Sequence, residues 1–128
     1  MRIFYTLALL LILSVNSPVV RAAGIDGNEV LRSCKVVVAL DDDATRNQSP
    51  VEAYRLGFCL GLMRGIVDVG GAAGGICTPS EFQYSQIARV VVKGLEESPE
   101  ALHQPGSSLM YFAIQKAYPC ASSSKGKR

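Results

Sequence analysis

The sequence predicts an all-α domain: a compact bundle of four to five helices stapled by two disulfides. Three observations carry that prediction. Helix-start signals recur four times along the chain, apolar residues between them repeat at three- and four-residue spacing, and four cysteines (Cys34, Cys59, Cys77 and Cys120) follow what reads as a cleavable export signal.

Arg2 gives the export signal a minimal positive start, and Ile3 to Val15 is an almost unbroken apolar run. Asn16, Ser17 and Pro18 interrupt it, and Val20-Arg21-Ala22 offers small residues at the −3 and −1 positions of a cleavage site. The run falls well short of the roughly 20 apolar residues a membrane span needs. Residues 1–22 are therefore expected to be a signal peptide, 23–121 a single helical domain, and 122–128 a disordered basic tail. The expected location is an oxidising compartment reached by export, with no membrane attachment after cleavage.

The precursor has 13 basic and 11 acidic residues, but Arg2 and Arg21 leave with the signal. Lys125, Lys127 and Arg128 lie in the tail, so the body carries an acidic excess of about three. No basic face with interleaved aromatics is visible, which argues against a nucleic-acid partner. A mildly acidic body suits a basic protein partner instead.

Asp26-Gly-Asn-Glu29 places an N-cap acid three residues before a carboxylate and opens a helix through Cys34 to about Leu40. Asp41 to Gln48 is polar and reads as a linker. Ser49-Pro50-Val51-Glu52 pairs a capping serine with proline at the first helical position. Gly70 to Gly75 (Gly-Gly-Ala-Ala-Gly-Gly) ends this second helix. Ser80-Glu81-Phe82-Gln83 is a capping-box pattern for the third, whose apolar stripe is Ile87, Val91 and Leu95 with Ala88 and Val92 beside it. Ser98-Pro99-Glu100 repeats the Ser-Pro opening. Leu109, Phe112, Ala113, Ala117 and Tyr118 predict the inward stripe of the last helix, which Pro119 ends.

Gly57, Gly61 and Gly65 recur every fourth residue and form one hydrogen-only stripe on the second helix. Each costs roughly 1 kcal/mol against alanine in a helix interior. Close approach of another backbone would offset that, so the stripe is expected to pack against a helix of the same chain or of a second copy.

No two cysteines have the short spacing of a zinc site, which favours disulfides over metal. Three pairings are open. The favoured one joins Cys59 to Cys77, folding the glycine loop back along its helix, and Cys34 to Cys120. His103 stands alone beside Pro105 with no neighbouring nucleophile. Asp41-Asp42-Asp43 lacks the alternating ligands of a calcium loop. No catalytic residue, metal site or cofactor is expected. The polar connection formed by Glu96, Glu97, Glu100, His103 and Gln104, fixed by Pro99, is the favoured partner-binding site, ahead of Gly70 to Gly75.

The ordered set Gly27-Asn28-Glu29-Val30-Leu31 to Cys34, Gly57-Phe58-Cys59-Leu60-Gly61 to Gly65 and Asp68, Ile76-Cys77-Thr78-Pro79, Pro99-Glu100 to His103, and Ala117-Tyr118-Pro119-Cys120 resembles the Rap/Tai family of type VI secretion immunity proteins. The resemblance runs from about Gly27 to Cys120. It departs at Thr78, where leucine is usual, and at Ser98, where histidine often precedes the proline. It implies a periplasmic, all-helical protein, often a homodimer, that binds a peptidoglycan amidase toxin and covers its active-site cleft. The alternative is a periplasmic interaction or structural protein with the same scaffold and no cognate toxin.

Overall fold

The computed structural model describes residues 24–121. The expected signal peptide and basic tail lie outside them. Among the described residues four α-helices follow one another: α1 (Gly27–Asp42), α2 (Pro50–Ala72), α3 (Tyr84–Glu96) and α4 (Gly106–Ala117). A single 3-10 turn, Pro99–Ala101, sits between α3 and α4.

Each helix starts or faces inward for a readable reason. The Asp26 carboxylate accepts from the Glu29 N–H (3.0 Å) at the start of α1. At α2 the Glu52 N–H donates to Ser49 Oγ (3.3 Å), and the Ser49 N–H donates to the Glu52 carboxylate (3.0 Å), a reciprocal cap. The core is one residue per turn from each element. Val30, Cys34 and Val37 come from α1, Cys59, Met63 and Val67 from α2, Ile87, Val91 and Leu95 from α3, and Met110 and Ile114 from α4. Helix α1 packs against the other three. Burial of each large apolar side chain contributes about 1.5–3 kcal/mol.

The structure moves two expected helix starts. Helix α3 begins at Tyr84, not at Ser80, with the Gln86 side chain accepting from the Gln83 N–H (3.4 Å). Phe82 instead packs its ring edge-on against Tyr84 at 5.1 Å and adds to the core margin. Ser98-Pro99 opens only the 3-10 turn, because Pro105 follows before a second turn can form. The inward face of α4 is also different. Gly106, Met110 and Ile114 point into the core, while Phe112 is 62% exposed.

The cysteine pairing is a correction. The bridges are Cys34–Cys59 and Cys77–Cys120, not Cys59–Cys77 with Cys34–Cys120. Cys34 and Cys59 occupy the core faces of adjacent helices, so they meet as part of the packing between α1 and α2. Cys77 lies past the end of α2, where its N–H donates to the Tyr118 carbonyl (2.9 Å) and brings it beside Cys120. Loops of 25 and 43 residues give each bridge about 3–4 kcal/mol in the chain-entropy picture.

The glycine stripe is a second correction. Gly57, Gly61 and Gly65 are exposed, and among the described residues nothing beyond their own stretch of helix lies within 4 Å of a β-carbon placed on any of them. The core side of α2 is Cys59, Met63, Val67 and Gly70, and at about 100° per residue the stripe falls on the opposite side. Packing within the chain is therefore overturned. The Gly70–Gly75 segment is partly helical: α2 runs to Ala72, and Gly74 takes a left-handed conformation (φ 73°) that only glycine adopts cheaply. The N–H groups of Gly75 and Ile76 then both donate to the Gly70 carbonyl, seating Ile76 in the core.

Peptide mapping without reduction is expected to show Cys34–Cys59 and Cys77–Cys120 as the only pairs and no alkylated cysteine. Under graded reductant the Cys77–Cys120 bridge should open first, since Cys77 is exposed while Cys34 and Cys59 are fully buried. Simultaneous loss of both bridges would contradict that order.

Candidate functional site

The corner between α3 and α4 is built on the first turn of α1. Helix α3 ends with the Glu97 N–H donating to the Lys93 carbonyl (3.0 Å), and the Gln104 N–H donates back to Ala101 (2.9 Å) after the 3-10 turn. Two corner carbonyls then face the free N–H groups at the start of α1. Gly27 donates to Gln104 (3.1 Å), and Asn28 donates to Leu102 through its backbone (3.2 Å) and its side-chain amide (3.1 Å). With Asp26 taking the Glu29 N–H, three successive donors of that helix end are satisfied, and the corner cannot shift without freeing two of them.

Close approach makes this possible. A β-carbon on Gly27 would stand 2.6 Å from Leu109 Cδ1 and 3.0 Å from the Leu102 carbonyl oxygen. One on Gly106 would stand 2.5 Å from Val30 Cγ2 and 2.6 Å from the Asp26 carbonyl oxygen. Asp26 and Pro105 form a single antiparallel bridge at the same place, with Gly106 donating to Ile25 (2.8 Å).

The proposed contact residues sit on this frame with different freedoms. Glu96 reaches across to Lys35 on α1 (2.7 Å), and Glu97 lies 3.8 Å from Lys93. Glu100, His103 and Gln104 are exposed. The turn thus presents Glu97, Glu100, His103 and Gln104 together on one outward corner, while Glu96 is committed to a salt bridge inside the chain.

A feature the sequence did not reveal borders the corner. Between α3 and α4 runs a groove of about 490 Å³, where Gly94 lies close under Ala113 and the exposed Phe112 forms a wall. Glu97, Ser98 and Ala101 belong to both groove and corner. The signal that would have exposed Phe112 is the spacing of Gly106, Met110 and Ile114, which defines a face on which Phe112 has no place.

The charged network is peripheral. Arg89 of α3 holds Asp41 (2.9 Å) and Asp42 (2.6 Å) at the end of α1, so those two acids are not a free linker. Hydrogen bonding to Arg89 lowers the Asp41 carboxyl pKa, the Glu29 backbone N–H lowers that of Asp26, and Arg32 lowers that of Glu29. All four cysteines are oxidised, and among the described residues no group of three or more His, Cys, Asp or Glu is placed to hold a metal ion. No helix among them is long and apolar enough to cross a membrane.

Such a fold, with a braced exposed corner and its thiols locked in bridges, defines a small disulfide-stapled helical domain. The chain belongs to the Rap1a immunity protein family, whose model matches residues 26–120, from the cap of α1 to the last cysteine. No curated protein and no solved structure matches it.

Gly106→Ala is expected to destabilise the domain by about 1–3 kcal/mol in chemical denaturation, because the methyl group meets backbone on one side and Val30 on the other. An unchanged midpoint would mean the two helix starts are not in contact. The lowered carboxyls release their protons more readily folded than unfolded, so their contribution is complete above the ordinary values of 3.8 and 4.5 and fades as pH falls through and below them. Melting temperature should therefore be level from neutrality to about pH 5.5 and fall below about pH 4.5. The fall should be smaller in Asp26→Asn.

Proposed function

We propose that this chain is an exported periplasmic immunity protein that binds and inhibits a type VI secreted peptidoglycan amidase, without catalysis of its own, and that it works as a homodimer. The family match across residues 26–120 carries the immunity part of this reading. The finer steps rest on the resemblance in the motifs from Gly27 to Cys120 and on the chemistry of the chain. Two disulfides suit an oxidising compartment, where they persist.

Inhibition of an enzyme requires only a surface that fills its groove and keeps out substrate. The corner fits that task because its backbone is already held by α1, so little conformational entropy remains to be lost on binding. Its carboxylates, Glu97 and Glu100, would meet hydrogen-bond donors in the cleft, and His103 and Gln104 add polar contacts. Phe112 supplies an adjacent apolar anchor of the kind that dominates many interfaces.

The test is inhibition of a co-encoded amidase on purified peptidoglycan. Wild type should block hydrolysis, and Glu97→Lys, Glu100→Lys, His103→Ala combined should weaken inhibition at least about tenfold with an unchanged circular dichroism spectrum. Full inhibition by the triple variant would remove the corner from the interface. Failure of wild type to bind any co-encoded amidase would remove the amidase reading and favour a scaffold without a cognate toxin.

A further inference from the structure

The groove between α3 and α4 is carbon along its length and cationic at its rim. Val90 lines it from α3, and Leu109, Phe112, Ala113 and Ala117 line it from α4. A β-carbon on Gly94 would stand 3.0 Å from that of Ala113, so the two helices nearly touch beneath the groove and close its floor. The Phe112 ring stands at one wall, edge-on to Tyr111 at 5.6 Å. Two exposed lysines share the rim, Lys93 from α3 and Lys116 from α4. Lys93 has Glu97 at 3.8 Å, whereas among the described residues no carboxylate pairs with Lys116.

We infer that this groove binds a long-chain carboxylate, with the acyl chain lying along the apolar floor and the carboxylate at Lys116. The inference goes beyond the proposed function and does not rest on it. One consequence touches that reading: an acyl chain covering Phe112 competes with a toxin that uses the same ring.

Three features select this class of ligand. The first is size. The groove's 490 Å³ falls within the range of about 300–1,000 Å³ typical of small-molecule sites. The second is what the floor lacks. Gly94 and Ala113 lie inside helices, where their backbone groups are already hydrogen-bonded, so the floor has no partner to give an occupant. An extended peptide laid there would leave its own N–H and C=O groups unpaired, whereas an acyl chain has none. The third is charge and its direction. Glu96 meets Lys35 and Arg89 meets Asp41 on α1, while Gly106 packs on Val30, so α3 ends where α4 begins. The two helices therefore run antiparallel, placing Glu97 at the Leu109 end of the groove and Lys116 at the Val90 end. A carboxylate at Lys116 gains a free ammonium and keeps its distance from Glu97, which fixes the orientation of the chain. From Val90 to Glu97 α3 advances about 10 Å, the reach open to the tail as it runs toward Phe112 and Leu109.

Isothermal titration of the processed, oxidised protein with octanoate, decanoate and dodecanoate, each below its micellar concentration, tests this. Dodecanoate should bind at one site per chain. Affinity should rise about fourfold for each methylene the groove covers and level off once the chain outgrows it. Dodecanol, with the same chain and no charge, should bind at least about tenfold more weakly. Lys116→Glu and Phe112→Ala should each weaken dodecanoate at least about tenfold, with the circular dichroism spectrum retained because both side chains are exposed. Val69→Ser, on the exposed side of α2, should change nothing. Absence of dodecanoate binding overturns the inference. So does equal binding of dodecanol with indifference to Lys116→Glu, which would mean apolar adsorption without a site. Sensitivity to Val69→Ser in place of Phe112→Ala would move the ligand to α2, also against it. Binding to vesicles of phosphatidylglycerol but not to free dodecanoate would assign the lysines to a membrane surface, and capture of an acidic amphipathic peptide with no response to dodecanoate would assign the groove to a protein. Either result overturns the inference while leaving amidase inhibition, read separately, untouched.

Discussion

Two absent β-carbons, at Gly27 and Gly106, let the first turn of α1 lie directly against the start of α4. The remaining architecture hangs on that contact. The carbonyls of Leu102 and Gln104 can reach the N–H groups of Asn28 and Gly27 only because no side chain stands between the two backbones. Once they do, the connection from α3 to α4 has a fixed shape and α1 has a fixed entry angle. Helix α1 then touches each of the other helices along its length. A methyl group at either glycine would push apart an end of the central helix, not merely crowd a loop.

The same contact explains why the backbone of the exposed corner is held in one shape. Surface turns rich in acid and proline are common and usually solvated. Here the turn also supplies the acceptors for a helix end, so its geometry is tied to the stability of the domain. The side chains of Glu97, Glu100, His103 and Gln104 remain outward while their backbone is held from behind. The adjacent groove with Phe112 gives the corner an apolar neighbour.

The sequence made the helices legible where local chemistry decides them. Asp26 and Ser49 cap as their spacing to Glu29 and Glu52 requires, and Ile87, Val91 and Leu95 face inward as their period demands. It misled where one local signal competes with another. Ser80 and Ser98 both precede helix-compatible residues, but Phe82 is drawn to the core margin and Pro105 stops the second opening. The pairing of four cysteines is decided by which helix faces meet, and that is a tertiary property. Gly57, Gly61 and Gly65 drew attention by their regularity, whereas Gly27 and Gly106, isolated in sequence, make the close contacts within the chain. The corner was visible as a polar segment; its bracing by α1 and its groove were not.

The bridges join cysteines that are consecutive along the chain, first with second and third with fourth. For a polypeptide that reaches an oxidising compartment amino end first, this order has a practical consequence. When the second thiol arrives, its correct mate is the only one already present, and once that bond has closed the last two thiols have only each other. Oxidation in order of arrival therefore yields the native connectivity without reshuffling. Such a chain would need a donor of disulfides far more than an isomerase.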